Sequence, residues 1–257
     1  MSSKKESFFG TVSFVIIVCL VCAALVSVSA VKLKPLQTAN KLLDQQTKIL
    51  EAAGLLELGT EKGIVATYSQ FVTAKMIDLK TGEYIDGNPD MFDERRDARD
   101  ETKSVKPEND IAGINRRANS AVVYLVTDGS GSVNTVILPI VGSGLWDLMY
   151  GFIGFEPDLN TVKSVVYSDH KETPGLGAEV MNPRWKALWP GKKMYDEQNN
   201  IAIQIVKGGA KKGDIHGVDA LSGATLTSAG VERTLHFWLG EEGYGPFIKA
   251  TRARGLN

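Results

Sequence analysis

Seven residues towards the C-terminal end of the chain, DALSGAT at 219–225, have the types and spacing of a phosphate-binding segment. They precede a stretch with helical periodicity. The start of a helix presents unpaired N–H groups and the positive end of its dipole, which together favour an anion. Ser222 and Thr225 add hydroxyl groups, while Gly223 and Ala224 allow close approach of the backbone. We therefore expect this segment to contact a phosphate group.

Thr225 is a possible point of covalent attachment, although not by its own chemistry. A threonine hydroxyl is a poor nucleophile at neutral pH unless a base activates it. No obvious base stands next to Thr225 in the sequence, so another enzyme would have to perform the attachment. The alternative is that a hydroxyl of this segment only caps the following helix, since serine and threonine are preferred there. The residues alone leave both interpretations open.

A second cluster, HKETPGLGAE at 170–179, contains two glycines two residues apart after a proline. Gly175 and Gly177 would let the backbone approach something flat or bulky, and Leu176 would cover one face of it. The alternative is an ordinary tight turn after a strand. His170 in this cluster and His216 near the first motif are further candidates for polar ligand contacts, although isolated histidines are more often structural.

Several other kinds of site are not indicated. The chain has no G-x-G-x-x-G or Walker pattern and no G-x-S-x-G elbow. Its only cysteines, Cys19 and Cys22, lie in an apolar stretch, which argues against thiolate metal sites elsewhere. With three histidines in all, we predict no metal site. The net charge of -1 gives no basic field for nucleic acid.

Residues 8–31 carry no charge and are long enough to span a bilayer, which predicts one transmembrane helix after a short cytoplasmic tail at 1–7. A cleaved signal peptide is the alternative, since Val28-Ser29-Ala30 resembles a cleavage site, but the apolar run is long for one. Two lysines flank the span on each side, so the positive-inside rule barely decides its orientation.

The remaining residues, 32–257, predict one α+β domain with a mostly antiparallel sheet and packed helices. An amphipathic helix follows Pro35 and leads from the membrane into the domain. Hairpins are expected around residues 80–82 and 129–131, and further strands before a late helix from about Thr225. The dense charges at 87–110 predict a surface insertion.

Together, ETPGLGAE at 172–179 and DALSGAT at 219–225 resemble the FMN-binding domain of respiratory redox complexes. With one N-terminal span and this length, the whole chain is similar to the C subunits of the sodium-translocating NADH:quinone oxidoreductases. The G subunit of the Rnf complexes shares both motifs and the anchor, and the charged segment at 87–110 favours the C subunits. The residues at 219–225 also match the pattern D-x-x-[ST]-G-A-[ST], which a flavin transferase recognises.

The resemblance implies that Thr225 carries FMN through a phosphoester bond and that Asp219 belongs to the transferase recognition pattern. It implies a domain in the periplasm, held at the bacterial inner membrane, that relays electrons within a membrane complex of several subunits. That complex transfers electrons from NADH to ubiquinone and exports sodium, with NADH and quinone bound by other subunits. A membrane-tethered assembly module without a cofactor is the alternative. The expected non-covalent contacts to FMN are Ser222, Gly223, Ala224, Leu226, Thr173, Gly175, Leu176, Gly177, His216 and His170.

Overall fold

The computed structural model describes residues 8–256, so the predicted tail at 1–7 and the final residue of the predicted domain lie outside the described part. The helices are α1 (Phe8–Ala53), α2 (Leu56–Lys62), α3 (Ile64–Phe71), α4 (Glu94–Asp97), α5 (Pro183–Lys186), α6 (Thr225–Leu239) and α7 (Gly245–Arg254). The strands are β1 (Val72–Asp78), β2 (Tyr84–Ile85), β3 (Ser104–Val105), β4 (Arg117–Ala118), β5 (Ser120–Thr127), β6 (Val133–Ser143), β7 (Leu148–Phe155), β8 (Val162–Asp169), β9 (Gln204–Val206) and β10 (Gly217–Asp219). Short 3-10 helices occupy Pro89–Met91 and Gly177–Met181.

One antiparallel sheet dominates the described residues, with the strand order β2-β1-β5-β6-β7-β8. Every neighbouring pair in it is antiparallel, which confirms the predicted α+β fold with a mostly antiparallel sheet. The two predicted hairpins are present as β1–β2 and β5–β6. Two small sheets lie outside it, an antiparallel pair of β3 and β4 and a parallel pair of β9 and β10.

Strand β5 shows why the sheet is apolar on both faces. Val123 belongs to the larger core, which also contains residues of α6 and α7. Tyr124, the next residue, points to the other face and packs in a second core with Ile49 and Leu50 from the end of α1. Because successive side chains of a strand point to opposite faces, a strand covered on both sides reads as a continuous apolar run.

Helix α6 lies very close to the end of β6. A Cβ atom added to Gly230 would collide with the carbonyl oxygen of Ser143, so glycine is required for this approach. Further along, the Trp238 indole N–H donates to the Val141 carbonyl at 2.6 Å. Helix α6 is therefore held against the end of β6 and against Gly144, the first residue of the connection that leaves β6.

Helix α1 runs from Phe8 to Ala53 and includes Pro35, where the sequence suggested the start of a separate amphipathic helix. The helix is long and apolar enough to cross a membrane. The chain divides into two compact units after Asp44, beyond the end of the span expected at residue 31. The end of α1 belongs to the second unit, where Ile49 and Leu50 are fully buried.

The charged segment at 87–110 is anchored by specific contacts. Arg95 donates to the Asp169 carboxylate at 2.7 Å, and its guanidinium carbon lies 3.6 Å from the centre of the Tyr150 ring. Burial raises the pKa of the neighbouring Glu94 to about 7, an effect that the charge of Arg95 partly offsets and that of Asp93 increases. The segment thus reaches the ends of β7 and β8.

Candidate functional site

The segment that carries the first motif forms a tight turn leading into α6. The Ala224 N–H donates to the Leu221 carbonyl at 3.2 Å, and Gly223 adopts a φ of 72°, in the left-handed region that favours glycine. The Ser228 hydroxyl accepts from the Leu221 N–H at 3.0 Å and donates to the Ala224 carbonyl at 3.0 Å. These bonds fix the turn rigidly on the helix that follows.

Thr225 is the first residue of α6 and is exposed. Ala224 occupies the N-cap position, and no side chain caps the helix, so the capping interpretation of Thr225 is wrong. Within residues 8–256, the N–H groups of Thr225, Leu226 and Thr227 have no hydrogen-bond acceptor. An exposed hydroxyl therefore stands beside unpaired amides at the positive end of a helix, which is an arrangement suited to a phosphate group.

The second motif forms a turn that lies against the first. The Thr173 carbonyl accepts from the N–H groups of Leu176 and Ala178, both at 3.1 Å, and Gly175 has a φ of 75°. The side chain of Leu176 covers Gly223, since its Cδ2 would be 3.1 Å from a Cβ atom there. Two motifs far apart in the sequence thus form one surface.

Glu172 joins these two motifs to the connection between β6 and β7. Its side chain is buried, and its Oε1 accepts from the N–H groups of Leu145 at 2.8 Å and Trp146 at 3.1 Å. Its Oε2 accepts from the Thr227 hydroxyl. The Trp146 indole N–H also donates to the Thr173 hydroxyl at 3.1 Å. Three separate segments therefore meet around one carboxylate.

Large apolar side chains are exposed on these segments. The exposed fractions are 48% for Leu145, 67% for Trp146, 43% for Leu176 and 60% for Leu226. Clustered apolar side chains rimmed by polar groups are typical of ligand-binding surfaces. Sequence reasoning missed Leu145, Trp146 and Glu172. The signal that could have found the first two was an apolar dipeptide in a loop between two strands, where polar residues are usual.

The two glycines of the second motif have different surroundings. Gly175 is exposed, and nothing lies within 4 Å of a Cβ atom added there, so the space above it is open. Gly177 is buried, and a Cβ atom there would collide with the Glu172 carboxylate and lie 2.6 Å from the Thr227 hydroxyl. Glycine at 177 is thus required by packing within the protein, whereas the sequence suggested room for a ligand.

The remaining candidate residues have partners within the protein. His216 Nδ1 lies 2.8 Å from the Lys193 carbonyl, and His170 Nδ1 accepts from the Glu172 N–H at 3.2 Å. The Asp219 carboxylate accepts from the Ala210 N–H at 2.8 Å and so holds the loop after β9. No group of three His, Cys, Asp or Glu side chains suited to a metal ion occurs between residues 8 and 256.

The geometry fits a ligand with a phosphate at one end and a flat apolar ring at the other. The phosphate would lie at the start of α6, beside Thr225. The ring would lie on the exposed apolar side chains, one of which, Leu176, lies over Gly223 in the turn. Unpaired amides and an exposed hydroxyl face the first part of such a ligand, while buried Glu172 fixes the segments that face the second.

Comparisons with known proteins agree with this chemistry. Residues 144–240 match the FMN-binding domain family, a range that contains both motifs and the β6–β7 connection. The C subunit of the Na(+)-translocating NADH-quinone reductase of Vibrio vulnificus is 47% identical over 257 residues, covering 99% of this chain and 100% of that protein.

Two solved structures have the same fold. The crystal structure of Shewanella oneidensis NqrC superposes with a TM-score of 0.80 at 43% identity and covers 84% of this chain and 99% of that one. The crystal structure of the C subunit of the Na(+)-translocating NADH-quinone reductase from Parabacteroides distasonis gives a TM-score of 0.67 at 26% identity, covering 84% of this chain and 96% of that one.

Proposed function

Because this chain belongs to the family of the C subunits of Na(+)-translocating NADH-quinone reductases, we propose that it carries FMN covalently on Thr225 and relays electrons within such a complex. It is a flavoprotein subunit with an FMN-binding domain. Family membership also decides between the C subunits and the Rnf G subunits, which the motifs left open.

The contact between Leu176 and Gly223 is the observation that carries this proposal. It brings the Gly-rich turn of the second motif against the turn that presents Thr225. A phosphoester between the Thr225 hydroxyl oxygen and the FMN phosphate would lie at the N-terminus of α6. The unpaired amides of Thr225, Leu226 and Thr227 would stabilise its remaining negative charge. Ser222, exposed on the same turn, supplies a further hydroxyl.

The isoalloxazine ring would lie on Leu176 and the exposed pair Leu145–Trp146. Their apolar surfaces exclude water from one side of the ring, and Gly175 leaves space for it. When bound, FMN would supply reversible electron uptake and release. The role of the protein is to hold the flavin where a donor and an acceptor can reach it.

Helix α1 anchors the chain in the bacterial inner membrane as a single span, with residues 1–7 in the cytoplasm and the FMN-binding domain in the periplasm. NADH and ubiquinone bind to other subunits of the complex. A flavin transferase, for which Asp219 is part of the recognition pattern, attaches the FMN. Protease added to intact spheroplasts should therefore digest the domain. Cleavage only after the inner membrane is opened would show that the domain lies on the cytoplasmic side instead.

Intact-mass measurement of the full-length chain, produced with the transferase, tests the covalent bond. The expected mass exceeds that of the unmodified chain by one FMN less one water, and the yellow colour should remain with the denatured polypeptide. Thr225→Val should lose both signals, and Thr225→Ser should retain them because the hydroxyl is preserved. A colourless native chain of unmodified mass would instead favour an assembly module without a cofactor.

A further inference from the structure

We infer that Glu172 is a positioning residue that assembles the ring-binding surface before any flavin is attached. This inference rests on the proposed function, because it concerns how that same site is built. Glu172 itself need not touch the flavin. It holds the start of α6, the Gly-rich turn and the β6–β7 connection in one arrangement.

Hydrogen-bond donors from two segments surround the carboxylate of Glu172. Its two oxygens accept from two backbone N–H groups of the β6–β7 connection, Leu145 and Trp146, and from the hydroxyl of Thr227 on α6. Glu172 belongs to the second motif, so one side chain joins three segments that are distant in sequence. Three donors from two segments therefore hold the two oxygens of this side chain in place.

The backbone around the carboxylate fits it closely. Gly144 and Gly177 both face the carboxylate. A Cβ atom at Gly144 would lie 2.5 Å from Glu172 Oε1, and one at Gly177 would collide with Oε2. Glycines on both sides therefore enclose the carboxylate closely, and the side chain has no room to adopt another position without moving both segments.

The side chain of Glu172 is buried without a basic partner among the described residues. Glu172 is only 5% exposed. Among residues 8–256, no Lys, Arg or His side chain forms an ion pair with it. The partners of its side chain are instead hydrogen-bond donors, one of which, Thr227, belongs to the first turn of α6. If the side chain is shortened, the amides of Leu145 and Trp146 lose their shared acceptor.

The consequence is specific to the ring surface. Leu145 and Trp146 carry much of the exposed apolar area, and their backbone amides are the groups that Glu172 binds. Thr225, by contrast, is exposed and forms no hydrogen bond with Glu172. Loss of the carboxylate should therefore loosen the ring surface while leaving the attachment hydroxyl accessible.

Hydrogen–deuterium exchange on the full-length chain in detergent, produced without the transferase, tests this directly. Glu172→Ala should accelerate exchange of the Leu145 and Trp146 amides about tenfold or more, because each loses its hydrogen-bond acceptor. Glu172→Gln should stay close to the unsubstituted chain. Its amide oxygen can accept from the same N–H groups, and its NH2 group can donate to the Thr227 hydroxyl oxygen.

Glu232→Ala is the matched control. Glu232 lies on α6 and accepts from the backbone N–H of Ile205 at 2.5 Å, so its removal also frees an amide, but away from the proposed site. It should leave exchange of residues 144–147 unchanged. If Glu172→Ala folds poorly, Thr227→Val and Thr227→Ser provide a second pair of variants. Exchange of the Leu145 and Trp146 amides should be faster in Thr227→Val only, because serine keeps the hydroxyl that donates to Glu172.

With the transferase present, flavin attached to Glu172→Ala should lose visible circular dichroism, whereas Glu172→Gln should keep it. The inference is overturned if Glu172→Ala leaves exchange at 144–147 unchanged, or if Glu172→Gln exchanges as fast as the alanine variant. In the event that Glu172→Ala does not fold, equal exchange in the two Thr227 variants overturns it.

Since the exchange is measured without flavin, it is independent of attachment. An unmodified mass in every chain would contradict only the proposed function.

Discussion

The side chain of Leu176 lies directly over Gly223, so that its Cδ2 would be 3.1 Å from a Cβ atom at that position. These two residues belong to different motifs, and their contact closes the gap between the Gly-rich turn and the start of α6. Gly223 also has a φ of 72°. Glycine is thus needed here both for its backbone conformation and for the space above it.

Gly223→Ala should alter the surroundings of the flavin as well as lower the stability of the domain. The left-handed conformation alone should cost ~1 kcal/mol, and the added methyl group should also displace Leu176. Gly213→Ala is the control, because Gly213 has a φ of 85° and nothing would lie within 4 Å of its added methyl group. Both variants should lose similar stability in urea. Only Gly223→Ala should change the visible circular dichroism of the flavin, and identical spectra would contradict the contact.

Leu176→Ala should expose the flavin ring to solvent. Because Leu176 is already exposed at its outer face, we expect a change in stability below about 0.5 kcal/mol. Quenching of flavin fluorescence by iodide should increase, while the intact mass stays that of the modified chain. Ile215→Ala removes a similarly exposed apolar side chain outside the site and should leave quenching unchanged. Equal quenching in both variants would show that Leu176 does not cover the ring.

Asp219 has a structural contact that complicates its expected role in flavin attachment. Its carboxylate accepts from the Ala210 N–H, so Asp219→Ala should cost ~1 to 3 kcal/mol through the unpaired amide. Asp219→Asn keeps an acceptor oxygen and should restore the stability. If the transferase reads the carboxylate, both variants should be poorly modified, as measured by intact mass. Full modification of the asparagine variant would mean that only the loop geometry matters.

Glu94 should make the stability of the domain depend on pH. Its pKa is raised by burial from 4.5 to about 7, so the folded protein holds a proton that the unfolded chain has released between these values. The free energy of unfolding should therefore fall as pH rises through this range, by no more than ~3.5 kcal/mol. Glu94→Gln should lack this fall, while Glu61→Gln, at an exposed position, should keep it. Urea unfolding at pH 5 and pH 8 measures both, and parallel behaviour of all three chains would contradict the assignment.

The end of α1 should be required for folding of the FMN-binding domain. A chain beginning at Gln45 retains Ile49 and Leu50, which are fully buried in the second core, whereas a chain beginning at Leu55 lacks both. The shorter chain should be less stable by roughly 4 kcal/mol or more. The longer one should fold and accept FMN, since both motifs lie downstream. Equal urea midpoints for the two chains would refute this.

The sheet and α6 could be predicted from the sequence because their signals are local. Apolar runs, glycine-containing turns and helical spacing each depend on neighbouring residues, and the hairpins at 80–82 and 129–131 follow from them. The continuity of α1 through Pro35 could not be predicted, because a proline in a helical pattern normally marks a boundary. In the structure the helix simply continues past it.

The two motifs indicate the candidate site from the sequence, but they do not indicate how its segments are held together. The accessible Thr225 and the turn at Gly175 follow from local chemistry. The junction at Glu172 depends on donors from the β6–β7 connection and α6, which become neighbours only after the sheet has formed. The need for glycine at 177 could not be predicted for the same reason. A larger side chain there would collide with the Glu172 carboxylate and the Thr227 hydroxyl, which are far apart from each other in the sequence.

The exposed position of Thr225 at the start of α6 has a consequence for the order of maturation. Thr225, the proposed attachment residue, is exposed in the finished fold, and the turn that presents it is already fixed by Ser228. Under the proposed function, the transferase would therefore act on the native protein and would need no nascent or partly unfolded chain. Cells without that enzyme would accumulate a folded, colourless precursor that a later supply of flavin and transferase could complete.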